Sequence, residues 1–255
     1  MSVANAGNCE RLAERPISAG GTSLAEWLTW PREFPILDLD ECPFLVLVAP
    51  HPDDETLGFG CTAAMLRARG VDVVVVSVSD GGGAYPDLSP TERCWLERDR
   101  HAELLCATNI LGLDPPVRLG LADGAISERE EEMGGLLAEI LDAAPPGAWC
   151  AATWRGDGHP DHEAVGRASA TAAGRTGALL LEYPVWMWHW AVPGDNAVPW
   201  HRMCTTPRDR AACRLKRQAA NVFQTQLRPR WPGAEAILPS HVVDRLLTLG
   251  EAVFR

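Results

Sequence analysis

The chain lacks any apolar run approaching the roughly 18 residues that cross a bilayer, so no integral membrane segment is expected. It also lacks a lysine and arginine cluster. Its formal net charge is −11, which argues against nucleic acid or an anionic membrane surface as partner. The opening residues, MSVANAGNCERLAERPISAGG, have neither the basic start nor the apolar centre of a secretory signal. None of the eight cysteines forms a C-x-x-C pair. Several fall at apolar positions of expected helices or strands. They read as reduced, mostly buried thiols of a cytoplasmic protein, not as a disulfide frame or zinc knuckle. There are no internal repeats and no low-complexity linker. What is present is 255 residues, 46% of them apolar, enough for one sizeable core or two small ones.

Strand and helix signals alternate. FLVLVA (44–49) is a continuous apolar run, as expected of a strand buried on both faces. A helix follows, with Leu57, Cys61, Ala64, Met65 and Ala68 on one face, ending near Gly70. VDVVVVSVSD (71–80) is a second strand running into the glycine loop 81–83. Ser89, Pro90 and Glu92 form a capping box for a helix reaching Leu111. VRLGL (117–121) is a third strand, and Ser127 to Glu130 reads as another capping box opening a helix. AWCAATW (148–154) and ALLLEYPVW (178–186) are further strands, with a helix between them to about Ala173. Helices are expected over 208–226 and 239–249. Residues 1–40 read as a loose extension with one short helix, ahead of a domain spanning 41–255. This alternation predicts a Rossmann-like, doubly wound, mainly parallel α/β sheet in a single domain.

Two dense polar clusters sit at strand ends. VAPHPDDETLGFG follows the first strand, and GDGHPDHE follows the fourth. In open α/β sheets that edge is where ligands bind. His51 and Asp54 are three residues apart, as are His159 and His162. In a tight turn entering a helix such pairs share a face. His51 and Asp54 together with one histidine of the second cluster make a His₂–carboxylate set with an open position, a catalytic rather than structural zinc pattern. Asp53 is then left for another task. Acidic residues also favour helix N-termini without any metal. That plainer reading explains one cluster but poorly explains two with histidines at the same spacing. His101 and His241 read as solvated side chains, while His189 and His201 stay open.

APHPDDETLGFG with GHPDHEAVG resembles the PIG-L/LmbE family of zinc-dependent N-acetylglucosaminyl deacetylases. RHAELLCATNILGL is similar to the family's Arg-x-x-Glu helix, and LGLADG to its Leu-Gly-x-x-Asp-Gly. The resemblance covers about Phe44 to Gln226. It implies one Zn²⁺ per chain held by His51, Asp54 and His162, a type of site that also takes Fe²⁺ or another divalent ion. It implies Asp53 as general base and His159 as stabiliser of the tetrahedral intermediate. Asp161 is placed to orient His159. Arg100 and Asp123 match positions that touch the sugar. Asp157 stands where one branch has tyrosine, and is expected to bond a sugar hydroxyl or an amine. The implied reaction removes the N-acetyl group from an N-acetylglucosamine-type conjugate, giving acetate and a free amine.

EYPVWMWHW and Trp200 place four tryptophans in fifteen positions. The alternation of Trp186, Trp188 and Trp190 reads as one face of an extended segment. Trp186 and Trp188 are either core packing or a platform for a sugar ring or an attached hydrophobic group. Two alternatives remain. One is an amidase for a bulkier N-acyl or thiol-conjugated amino sugar. The other is a non-catalytic sugar-binding protein, which should have lost Asp53 or a metal ligand. The expected partner is a small-molecule glycoconjugate; a homo-oligomer stays open.

Overall fold

The structure is a computed structural model describing residues 7–31, 33–231 and 233–255. The first strand, β1 (Phe44–Ala49), is followed by β2 (Asp72–Ser79), β3 (Val117–Leu121), β4 (Trp149–Thr153) and β5 (Leu179–Tyr183). Two short strands, β6 (Met203–Thr205) and β7 (Ala252–Phe254), complete the sheet. The helices are α1 (Asn8–Ala13), α2 (Leu24–Thr29), α3 (Asp54–Ala68), α4 (Pro90–Ile110), α5 (Glu130–Asp142), α6 (Pro160–Thr176), α7 (Met187–Trp190), α8 (Arg210–Ala220), α9 (Gln224–Leu227) and α10 (Ser240–Thr248).

The strand order is β3-β2-β1-β4-β5-β7-β6. The first five strands are parallel, and β7 and β6 add an antiparallel edge. The expected doubly wound, mainly parallel α/β sheet is therefore present. Order reverses between β1 and β4, which opens a crevice at the carboxyl ends of these strands. Both polar clusters follow these two strands.

Burial on both faces explains the unbroken apolar runs. Leu45 and Leu47 pack with side chains of α3, α4, α8 and α10, whereas Val46 and Val48 pack with α5 and α6. Each is fully buried, worth about 1.5–3 kcal/mol per side chain. The start of α3 lies tight against the sheet. A Cβ on Gly58 would sit 2.2 Å from Cδ2 of Tyr183, whose hydroxyl donates to the Val48 carbonyl at 2.8 Å.

Several expectations are corrected. Ser127 lies inside a 3₁₀ turn (Ile126–Arg129), and no side chain caps α5. The helix expected over 208–226 breaks into α8 and α9. Residues 187–190 are helical, not extended, because a period of two over five residues also fits a single helical turn. Cysteine thiols are all free, but Cys94, Cys106 and Cys213 are exposed rather than buried.

The N-terminal extension holds two helices and two 3₁₀ turns, and packs into the main core through Trp27, Leu37 and Leu39. Residues 1–6 and Arg32, part of that expected extension, lie outside the described residues. Among the described residues no helix is long and apolar enough to cross a membrane.

Candidate metal centre and active site

The first cluster is a forced turn. Asp53 has φ 139°, a positive value that only glycine among the other described residues adopts. Such strain at a non-glycine residue persists only where its surroundings hold it. Glu55 supplies one such hold: its carboxylate, fully buried, accepts the Asp53 N–H at 3.1 Å. Burial pushes the Glu55 carboxyl up to about 7.

Asp53 stands at the N-cap of α3 yet its side chain makes no capping bond. The carboxylate instead faces Arg100 Nη2 at 3.4 Å. Arg100, 3% exposed, also donates to the carbonyls of Pro52 and Gly81 at 2.9 Å each. The glycine loop makes room for this guanidinium, since a Cβ on Gly81 would lie 2.2 Å from Nη1.

The second cluster enters α6. His159 is the N-cap, its Nδ1 accepting the Asp161 N–H at 3.3 Å, and Pro160 takes the first helical position. That bond leaves the ring hydrogen of neutral His159 on Nε2. His162 follows in the first turn, with Nδ1 2.8 Å from Asp157 Oδ2.

Ligand atoms of His51, Asp54 and His162 all lie within 4.8 Å of one another. His51 Nδ1 is 3.2 Å from Asp54 Oδ2, and His162 Nε2 is 3.2 Å from the same oxygen. Yet His162 Nε2 is buried with no hydrogen-bond partner among the described residues. Short separation without hydrogen-bond geometry is what donor atoms aimed at a shared cation would show.

The opposite ring nitrogens are backed by carboxylates. His162 Nδ1 meets Asp157, while His51 Nε2 meets Asp123 at 3.1 Å and Asp161 at 3.2 Å. Metal-ligating imidazoles commonly carry such partners. These residues therefore fit a divalent cation. His51, His159 and Asp161 form a second group within the same limit.

The protonation pattern agrees. Burial alone would lower His51, but Asp123, Asp161 and Asp54 together hold it well above its ordinary value. Burial likewise opposes the charge on His162, but Asp54 and Asp157 raise it to about 9. The cluster thus recruits positive charge, a role that a metal ion takes over by displacing protons. Asp53 is pushed up to about 8, by burial first and by Asp54, with Arg100 opposing. Burial, then His162 and His51, lower His159 to about 3.

A cavity of about 300 Å³ opens over this cluster, lined by His51, Asp53, Asp54, Arg100, Asp123, His159 and Trp186. Three expectations do not survive. Asp157 has no exposed surface and cannot reach a substrate; both its oxygens are engaged by His162 and by the N–H groups of Val185, Trp186 and Met187. Asp161 does not aim its carboxylate at His159. That group accepts from Gly124 N–H at 2.8 Å and Ile126 N–H at 3.3 Å and faces His51. Trp188 lies outside the cavity, its ring edge-on to Trp27 at 5.1 Å.

Arg100 and Asp123 do line the cavity, though Asp123 is also tied to Gly83 N–H at 2.7 Å. His241 is not simply solvated, since its Nε2 lies 3.0 Å from the Ile17 carbonyl. Glu55 belongs to the first polar cluster but had no role assigned from sequence, and the apolar wall residues Leu12, Ile17, Ile237 and Leu238 had no signal in the local pattern.

The family profile described as "GlcNAc-PI de-N-acetylase" matches residues 46–173, half of the chain. The chain belongs to the PIG-L family. A 1D-myo-inositol 2-acetamido-2-deoxy-alpha-D-glucopyranoside deacetylase of Mycobacterium sp. (strain JLS) is 34% identical over 181 residues, 61% of this chain and 56% of that protein. The protein of that name from Rhodococcus erythropolis is 28% identical over 260 residues, 80% of this chain and 88% of its own length. With the first such relatives, at 56% and 62%, the chain matches less than two thirds of their length.

Solved structures share the fold. A teicoplanin deacetylase superposes with TM-score 0.57 at 19% identity, covering 71% of this chain and 85% of that one. The N,N'-diacetylchitobiose deacetylase from Pyrococcus horikoshii gives 0.56 at 17% identity, covering 74% and 73%.

Proposed function

We propose that this PIG-L chain is a zinc-dependent hydrolase that removes the N-acetyl group from an N-acetylglucosamine-type conjugate, a small-molecule glycoconjugate. The observation that carries this reading is the convergence of His51, Asp54 and His162, with Asp53 alongside but held by Arg100. Zinc bound by those three residues would supply Lewis acidity, activating water and polarising the acetamide carbonyl.

Asp53 accepts the proton of the attacking water. It caps no helix and lines the cavity, so its carboxylate is available to a water bound there. Arg100 fixes the Asp53 carboxylate and the Pro52 carbonyl in one grip, which orients the base. His159 donates from Nε2 to the oxygen that becomes negative in the tetrahedral intermediate. Its lowered pKa favours a neutral donor over an imidazolium. The proton for the departing amine then comes from Asp53, which has just taken it from the attacking water and stands in the same cavity. Asp157 and Asp161 act through the ligands, His162 and His51 respectively, by setting ring orientation and tautomer.

Acetate and amine release from a panel of N-acetylated amino sugars by zinc-loaded protein tests the reading. Turnover is expected with the full chain and lost with His51→Ala or His162→Ala together with the metal. Metal retention in both variants, or no turnover on any member of the panel, would sink it.

A further inference from the structure

The cavity has two chemically different parts. Its floor is made of Asp53, Asp54, Asp123, His51 and His159. Its outer wall is Leu12, Ile17, Val185, Trp186, Ile237 and Leu238. All six wall residues lie outside 46–173, the stretch that matches the family. They come from the N-terminal segment, the end of β5 and the C-terminal part of the chain, not from the two polar clusters.

The wall is held in place. The chain from Arg15 to Gly20 runs across α7 and α10, and three of its carbonyls face side-chain nitrogens of those helices. His189 Nε2 lies 2.9 Å from the Arg15 carbonyl and His241 Nε2 3.0 Å from that of Ile17. Arg245, 2% exposed, donates from Nη2 to the Gly20 carbonyl at 2.6 Å. Leu238 is fixed through its N–H, which donates to the Gln226 carbonyl at 2.9 Å. Buried donors spent on a loop's carbonyls pre-organise the side chains that the loop carries.

The wall offers little to a charged or polyhydroxylated group. Among the described residues Arg100 is the sole arginine or lysine in the lining, and both its terminal nitrogens are already engaged. A phosphodiester or polyol moved against these side chains would lose water without gaining donors. An apolar group gains roughly fourfold in affinity for each methylene buried. Leu12, Ile17 and Ile237 are half-buried, as are His51, Asp123 and His159 of the floor, so wall and floor stand side by side in one cavity open to solvent. An amide held over the metal cluster leaves the rest of its glycoside to the remaining lining, which is this wall.

We propose that the amino sugar deacetylated here carries an uncharged apolar aglycone, alkyl or aryl, seated against Ile17, Ile237, Leu238 and Trp186. This rests on the deacetylase reading for the floor, but the wall can be tested without turnover. Binding of hexyl and methyl β-D-glucosaminide, already free of acetyl, is measured by calorimetry on the zinc-loaded full chain. The hexyl compound is expected to bind at least about tenfold more tightly, the yield of two buried methylenes. Ile17→Ser and Ile237→Ser should each bring that ratio down severalfold.

Equal affinity for the two glucosaminides overturns the proposal, whatever the enzyme hydrolyses. In a second arm, hydrolysis of hexyl N-acetylglucosaminide is compared with that of methyl N-octanoylglucosaminide. Faster cleavage of the N-octanoyl compound would assign the wall to the acyl group and overturn the aglycone assignment. No hydrolysis of any N-acetyl glycoside, beside a retained hexyl preference in binding, counts against the deacetylase reading and leaves the wall as assigned.

Discussion

Asp157→Asn separates a structural carboxylate from a substrate contact. The wild-type side chain is fully buried and takes four donors. Oδ1 accepts the N–H groups of Val185 and Met187 at 2.9 Å each. Oδ2 accepts that of Trp186 at 2.9 Å and lies 2.8 Å from His162 Nδ1. An amide nitrogen at either place faces two of these groups and accepts from neither. Two bonds to a charged acceptor are lost, at about 1.5–3 kcal/mol each, or about 3–6 kcal/mol in all. At about 2–4 °C per kcal/mol for a chain of this size, the metal-free protein should melt about 6–24 °C lower.

The metal should weaken as well. An amide nitrogen at the Oδ2 position would donate to His162 Nδ1 and move the ring hydrogen to Nε2, the atom needed as a ligand. Loss of such a supporting partner typically costs about 10–100-fold in metal affinity. Thermal scans of chelated protein and zinc titration against a chromogenic chelator measure the two effects. A variant melting within about 2 °C of wild type, a change under about 1 kcal/mol, with unaltered zinc affinity would refute the role given to Asp157. A shift confined to KM would restore it as a substrate contact.

Asp53→Asn should keep its metal and fold while kcat falls about 10²–10⁴-fold, since the side chain caps nothing; near wild-type turnover would exclude Asp53 as base. Zinc loading should release protons, because His162 must lose one to ligate and titrates at about 9; apparent affinity therefore rises with pH up to that value. For the metal-free protein the sign is opposite. The folded pKa of His162 lies above its ordinary 6.5, so its contribution is complete below pH 6.5 and is lost as pH climbs through about 9. Melting of chelated protein across that range checks this, and a flat or rising profile would contradict it. Trp186→Ala should raise KM, whereas Trp188→Ala, removing a partner of Trp27 away from the cavity, should lower the melting temperature and leave kinetics intact. The reverse pattern would restore Trp188 as a substrate platform.

The parts of this protein legible in sequence are those governed by neighbours along the chain. FLVLVA announces a strand covered on both faces because both side-chain sets are apolar, and Leu45 and Val46 do pack into opposite layers. Ser89, Pro90 and Glu92 specify a helix start within four residues, and the capping box forms. The spacing of His51 and Asp54 places two ligand types on one tight turn, which the fold retains at 3.2 Å.

Other features were decided by residues far away in the chain. Asp157 and Asp161 are each two positions from His159 in sequence, yet neither serves it through its carboxylate. A buried carboxylate is claimed by whichever donors the fold brings. For Asp157 these are main-chain N–H groups 28 to 30 residues on. For Asp161 they are Gly124, Ile126 and the imidazole of His51, from 35 to 110 residues away. The N-terminal segment shows the same dependence. Its carbonyls are acceptors in any sequence, and only the packing of α7 and α10 sets His189, His241 and Arg245 against them. Local pattern thus determined the sheet and the pairing of His51 with Asp54, because adjacent side chains share one backbone geometry. The supporting carboxylates and the cavity wall were left to the tertiary fold, because hydrogen bonding and burial depend on distance in space.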